Sequence, residues 1–320
     1  MMKNVGRALF TGALGLAWGL TTGAVAAPET DSELGLQLMA AARCGARSEV
    51  IRLVESGAPV DFKDASRETS DESRPGGTAL IYAAFQGDLE LTKWLLDHKA
   101  NPNAVDDDGE TPLSSAIRSG EIDIVSALLA HGSDLKLAGS HHKSQQYPLI
   151  LIAARGDHSD ILDLLLKRGA NINEIGWVRQ SNTPTTPLAQ ASANAGPFMV
   201  KHLLDLGADP NLEPKAKGGE GATPLTAAVA AKKPRNLELL LSRGADPNRP
   251  GYDFMLGSRS LPLVVAVSER NLDEIQQILN AHPSTDAIRE ALTRAKNNWN
   301  GVQPEDAVII ELLEKAVSKR

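Results

Sequence analysis

The sequence predicts an all-α solenoid of about seven helix-turn-helix repeats, with extended hairpin fingers and a C-terminal helical cap. A short Thr-Pro-Leu-like motif opens a helix in each unit. Its leucine recurs at Leu80, Leu113, Leu149, Leu188, Leu225 and Leu263. A second helix then ends in two apolar residues and, three residues later, a glycine, as in Leu128-Leu129 before Gly132. Because one such hairpin cannot bury its own apolar faces, the units are expected to stack.

The most regular unit, residues 111–134, shows why each repeat forms two helices. Thr111 can cap the first helix, and Pro112 suits its first turn, where a missing N–H costs nothing. Gly120 separates the helices, and the apolar residues of the second helix share one face. Gly132 suits a left-handed C-cap.

This pattern resembles the ankyrin repeat family from about residue 34 to 285. The turn at residues 106–109 precedes Thr111 in the register that the family uses. The aspartates of this turn could also suggest a Ca²⁺ loop, but the EF-hand end positions would be Ala104 and Ser115, so we interpret the segment as a turn. The histidine that follows Thr-Pro-Leu in the family is missing from every copy.

The domain organisation is predicted in three parts. Residues 1–26 form a signal peptide, with Lys3 and Arg7 before a short apolar stretch and small residues at the cleavage site. Residues 27–285 form the repeat array. Residues 286–320 form two helices that cap its last repeat. The motif leucines lie 33, 36, 39, 37 and 38 residues apart, so the excess over the family period of about 33 residues is expected in the fingers.

Charge and composition limit the classes of partner. The chain has 33 Lys+Arg against 40 Asp+Glu, and the signal peptide would remove two of the cations. This acidic balance argues against nucleic acid and favours a partner with basic patches. We expect a protein of the bacterial periplasm, or a secreted one, with no membrane span after cleavage and no cofactor.

The resemblance implies that the first helices line a concave face and that the fingers extend it. Binding hot spots are rich in aromatic residues and arginine. We therefore expect the large side chains of these surfaces to bind a partner, namely Tyr82, Phe85, Arg118, Arg155, Trp177, Tyr252, Phe254 and Met255. The alternative is that the aromatic residues fold back to cover the long fingers and the joints between repeats.

The expected function is non-enzymatic binding of another exported protein, as a scaffold, a protective partner or an inhibitor such as an immunity protein. An alternative is a metal- or ligand-binding stress protein that uses His141, His142 and Cys44, although adjacent histidines diverge and no carboxylate stands at ligand spacing. An enzyme with its site in a finger is a third possibility, but the sequence shows no catalytic constellation.

Overall fold

The computed structural model describes residues 30–63, 76–137, 147–178, 183–216, 219–253, 256–298 and 303–319. Within these ranges, fourteen helices form seven successive pairs, one pair for each repeat. The pairs are α1 (Asp31–Arg43) with α2 (Arg47–Glu55), α3 (Ala79–Gln86) with α4 (Leu89–Asp97), α5 (Pro112–Ser119) with α6 (Ile122–Ala130), α7 (Leu149–Arg155) with α8 (Ser159–Lys167), α9 (Pro187–Asn194) with α10 (Pro197–Asp205), α11 (Pro224–Ala230) with α12 (Pro234–Ser242), and α13 (Pro262–Ser268) with α14 (Leu272–Asn280).

Three fingers are two-stranded antiparallel hairpins. They are β1 (Gly176–Val178) with β2 (Thr183–Thr185), β3 (Lys215–Ala216) with β4 (Gly219–Glu220), and β5 (Gly251–Asp253) with β6 (Ser258–Ser260). Neighbouring fingers contact each other. The N–H of Tyr252 donates to the carbonyl of Gly221 over 3.1 Å, and Arg259 pairs with Glu213 at 3.1 Å. The predicted all-α solenoid with hairpin fingers is therefore confirmed.

The core runs continuously through the stack. The motif leucines of the first helices and the apolar pairs of the second helices meet in one cluster of buried residues. The first helices pack against one another more closely than most of the second helices do. A stack with one tighter layer curves toward that layer, so the first helices form the concave side.

In the fourth repeat the first helix begins one residue later than the sequence predicted, at Leu149. Pro148 is the N-cap of α7, with φ −54° and ψ 142°, so it occupies the position of Thr111 rather than that of Pro112. Ile150 therefore takes the place of Leu113 and is 1% exposed. Proline is tolerated at both positions, which is why the local sequence misplaced the start of this helix. As a consequence, Arg155 stands in the same slot as Arg118 of the preceding repeat.

At five of the six joints between neighbouring repeats, a side chain of one finger turn binds the next turn. An Asp or Asn oxygen of one turn accepts the backbone N–H of the following turn, and these bonds form a ladder along the stack. The rungs run from Asp61 to Asn101 (2.8 Å), Asn103 to Asp134 (2.8 Å), Asn173 to Asp209 (2.9 Å), Asn211 to Asp246 (2.7 Å) and Asn248 to Ser284 (2.6 Å). The ladder therefore holds adjacent repeats in one orientation.

Two further helices, α15 (Thr285–Asn298) and α16 (Pro304–Ser318), close the C-terminal end. Helix α15 packs on α13, and α16 packs on α14 and α15. Ile288 and Leu313 are fully buried in this contact. Among the residues that the structure describes, no helix is long and apolar enough to cross a membrane.

Thr92 offers a test of the repeat packing. It is fully buried on α4, and its hydroxyl has no hydrogen-bond partner among the residues that the structure describes. The same slot is apolar in the other repeats, where it holds Val50, Val125, Leu162, Val200, Leu237 and Ile275. We expect Thr92→Val to raise the free energy of unfolding by about 1 kcal/mol, because an unpaired buried hydroxyl is removed at nearly constant volume.

Urea unfolding of the variant and the parent chain measures this difference. Thr293→Val is the matched control, because Thr293 is exposed on α15 and its hydroxyl donates to the carbonyl of Arg289. A Thr92→Val chain that is less stable than the parent would show that the hydroxyl is bonded in solution.

Candidate functional site

The concave side carries one row of side chains that the repeat geometry aligns. In repeats 2 to 7 the row is the seventh position after the N-cap of the first helix. In repeat 1, whose first helix is longer, Arg43 belongs to the row because it stands two residues before the left-handed Gly45, as Phe85 does before Gly87. Its members are Arg43, Phe85, Arg118, Arg155, Ala193, Ala230 and Ser268. Large side chains occupy the row in repeats 1 to 4, and small ones occupy it in repeats 5 to 7. Along the row, the N-terminal half of the concave side therefore carries large side chains and the C-terminal half carries small ones.

Phe85 is the apolar member of this row. Its residue surface is 45% exposed. The backbone holds it in place, since Gly87 ends α3 in the left-handed region (φ 76°) and the Ser119 hydroxyl donates to the carbonyl of Phe85 over 2.9 Å. An exposed phenyl ring on a rigid helix loses little entropy when a partner covers it.

Arg118 lies back along α5 and meets Glu110, the residue just before the helix N-cap. The distance between the Arg118 guanidinium and the Glu110 carboxylate is 2.5 Å. Glu110 is buried and also accepts the Ser114 hydroxyl over 2.7 Å. The Arg118 side chain is 35% exposed, so it neutralises a buried acid while it still reaches the surface.

Repeat 4 repeats this arrangement with different chemistry. Tyr147 holds the position of Glu110, and it interacts with the exposed side chain of Arg155. Burial raises the pKa of Tyr147, and the charges of Arg155 and Arg118 oppose that rise. Burial thus favours the neutral phenol beside the Arg155 side chain.

The other predicted site residues fall into three groups. Tyr82 is only 4% exposed and belongs to the buried core, so the expectation that it is open to a partner is wrong. Trp177, opposite Pro184 in β1–β2, and Tyr252, in β5, are half-buried. Phe254 and Met255 lie outside the described residues.

The sequence reasoning missed Glu110 and Tyr147. Each directly precedes an N-cap and lies eight residues before an arginine of the row. That spacing is the signal that could have found them, but only once the register of repeat 4 is correct.

Of the three residues considered for metal or thiol chemistry, the structure describes Cys44 alone. Cys44 is exposed at the end of α1. His141 and His142 lie outside the described residues. Within the described ranges, no group of three or more His, Cys, Asp or Glu side chains could hold a metal ion.

The comparisons with known proteins address the fold directly. A family model for three ankyrin repeats matches residues 38–138, and a single ankyrin repeat model matches residues 144–177 and 220–252. The chain belongs to the ankyrin repeat family. The matched segments together cover just over half of the 320 residues. Ankyrin repeats are protein–protein interaction modules, so the concave row lies on a scaffold of that kind.

Individual relatives agree with this family. The ankyrin repeat protein nuc-2 of Neurospora crassa is 33% identical over 139 residues, which is 42% of this chain and 12% of that protein. A putative ankyrin repeat protein of Rickettsia felis is 32% identical over 129 residues, 40% of this chain and 39% of that one. The chain thus spans well under half of these relatives.

A solved structure extends the likeness to the fold. The human ASB11 ankyrin repeat domain superposes with a TM-score of 0.60 at 25% identity. The match covers 77% of this chain and 98% of that domain.

Proposed function

We propose that this ankyrin repeat protein binds another protein through the N-terminal half of the concave row. The main support is that four consecutive repeats place a large side chain at the same position of the row, namely Arg43, Phe85, Arg118 and Arg155. Arginine and aromatic residues dominate binding hot spots. The stacked helices hold these side chains in place before a partner arrives, which lowers the entropic cost of binding.

The chemistry of the row points to a partner surface that combines acidic and apolar groups. The net negative charge of the chain favoured a basic partner, but the charges at the contact itself decide which groups pair across an interface. In the row the charged members are cations, and Glu110 behind Arg118 is buried. An acidic patch beside an apolar side chain would complement Arg155 and Phe85.

We further propose that the protein acts after export, in the periplasm or outside the cell, and that it does so without catalysis. The support for export is the pattern of residues 1–26, with its two cations, apolar stretch and small residues. The support for a binding role without catalysis is the family and the chemistry of the row, in which Arg118 pairs with the structural residue Glu110 and Arg155 interacts with Tyr147. A scaffold, a protective partner and an inhibitor would all use such a surface.

The experiment is capture of a partner by the intact chain from its native cell envelope, followed by affinity measurement on the purified pair. We expect the double variant Phe85→Ala/Arg155→Ala to weaken binding by at least about tenfold, since two anchors are lost. Cell fractionation tests the compartment, and recovery of the uncleaved chain in the cytosol would contradict it.

Phe198→Ala is the matched control. Phe198 is 64% exposed on the second helix of repeat 5, so the variant removes an equally large ring from the opposite layer. The proposal is wrong if the row variant binds as the parent does, or if Phe198→Ala weakens binding as much as the row variant.

A further inference from the structure

The joint between repeats 3 and 4 lacks the ladder rung found at the other five joints. Lys136 stands in the slot that holds Asp61 or an asparagine elsewhere, and an ammonium group has no lone pair with which to accept a hydrogen bond. The N–H that the rung would meet belongs to Asn171. No acceptor in the described part of the chain meets this N–H, and Asn171 is exposed.

A cleft of about 390 Å³ opens at this same joint. Leu135, Pro148 and Leu165 form apolar walls, and Asn171 lies among the lining residues. Ligand sites in proteins commonly span about 300–1,000 Å³ and combine apolar walls with a few polar groups. The cleft therefore has room for one side chain and its neighbouring peptide groups.

Two exposed cations line the cleft. Lys136 and Arg168 form no ion pair with any residue that the structure describes. Glu174 also lines the cleft, and burial raises the pKa of its carboxyl. In its ionised form this carboxylate opposes the binding of a second one, so the two cations must offset it. Residues 138–146, which lie outside the described residues, contain no Asp or Glu.

The joint between repeats 1 and 2 shows which group could accept the N–H of Asn171. There the carboxylate of Asp61 accepts the N–H of Asn101 over 2.8 Å. A carboxylate from outside the chain could accept the N–H of Asn171 in the same way, and Lys136 and Arg168 would neutralise it. Charge-assisted hydrogen bonds of this kind are stronger than neutral ones.

We propose that the cleft between repeats 3 and 4 binds an acidic side chain of the partner protein, whose carboxylate supplies the missing rung to Asn171. This inference rests on the proposed protein-binding function and adds a second contact, at the base of the fingers. It gives the partner a required chemistry: an Asp or Glu flanked by apolar residues that match the cleft walls.

The test follows the Asn171 amide signal by NMR in the isotope-labelled intact chain. The probe is the peptide acetyl-Gly-Leu-Glu-Leu-Gly-amide, and the control is the same peptide with glutamine in place of glutamate. We expect a saturable downfield shift of the Asn171 proton with the glutamate peptide. The glutamine peptide should bind at least about tenfold more weakly, because it lacks the charge.

Two variants of the cleft sharpen the test. Lys136→Asn introduces the asparagine found at other joints, whose side-chain oxygen should accept the Asn171 N–H. The peptide-induced shift should then disappear, and the added hydrogen bond should raise Tm by about 2 °C. Glu174→Gln should strengthen binding, because the neighbouring acid is removed. Phe85→Ala/Arg155→Ala leaves the cleft intact and should titrate as the parent does, so failure of the concave row would be seen separately.

Several results would overturn the inference. They are an Asn171 signal that does not move, equal binding of the two peptides, or unchanged binding in Lys136→Asn. Sodium acetate is titrated in parallel. If acetate binds as tightly as the glutamate peptide, the cleft is a site for free carboxylates and the partner segment is excluded.

Discussion

Replacing Glu274 by glutamine is expected to remove most of the pH dependence of stability in the last repeat between about pH 4.5 and pH 7. Glu274 lies in the first turn of α14 and is fully buried. Neither of its carboxyl oxygens has a hydrogen-bond partner in the described part of the chain. Burial raises its pKa to about 7. Lys232 opposes this rise, whereas Glu269 and Asp273 reinforce it.

The sign follows from proton counting. The folded chain keeps the Glu274 proton up to about pH 7, whereas the unfolded chain releases it near pH 4.5. The folded state therefore binds more protons in this window, and its stability falls as pH rises through it. At about 1.4 kcal/mol per pKa unit, the loss by pH 8 is roughly 2–3 kcal/mol.

The other repeats show why the carboxyl is costly. The slot of Glu274 is apolar in repeats 2 to 5, where it holds Leu91, Ile124, Ile161 and Met199. In repeat 6 it holds Asn236, whose amide donates to the carbonyls of Ser192 and Ala195. A carboxylate has no proton to donate to such carbonyls, so only the protonated form of Glu274 suits this slot.

The measurement is urea unfolding at steps from pH 5 to pH 8, with hydrogen exchange of α13 to α16 to locate the effect. Repeat arrays can unfold from one end, so the local readout separates the last repeat from the rest. The matched control is Glu238→Gln, because Glu238 is an exposed glutamate on α12. Equal pH profiles for the parent chain and Glu274→Gln would contradict the prediction. Glu274→Met should stabilise the repeat most above pH 7.

The repeat number and the helix pairs could be predicted because their signals are local. A cap, an apolar stripe and a terminating glycine lie within one unit, as in residues 111–134. The register of repeat 4 could not, because Pro148 fits either of two neighbouring cap positions. The hairpin fingers were predicted from the long insertions between repeats, but the bounds of their strands were not, since these strands are only two or three residues long.

The site was harder to predict because exposure depends on neighbouring repeats. Tyr82 and Phe85 lie three residues apart on α3, yet one is covered and the other is open. Sequence spacing places both near one helix face but does not show where the next repeat makes contact. The pairing of Arg118 with Glu110 depends on an arginine that lies back along its own helix, which a pattern of residue types does not reveal.

Loss of the ion pair between Arg270 and Asp306 is expected to loosen the C-terminal cap. The Asp306 side chain is 2% exposed, and it accepts the Nε proton of Arg270 over 2.8 Å. Asp306 also lies in the first turn of α16, where a carboxylate is favoured by the helix dipole. We expect Arg270→Gln to lower the free energy of unfolding of the cap by about 2 kcal/mol, because a buried carboxylate loses its cation.

A double-mutant cycle separates the pair from its surroundings. Asp306→Asn alone should also destabilise α16, but the double variant Arg270→Gln/Asp306→Asn should be more stable than the two single losses predict, because no unpaired charge remains. Hydrogen exchange in α15 and α16 supplies the readout. Additive losses would show that the pair is not coupled. A coupled loss that also exposes the amides of α13 would show that the cap protects the last repeat from water, as the end of a stacked array requires.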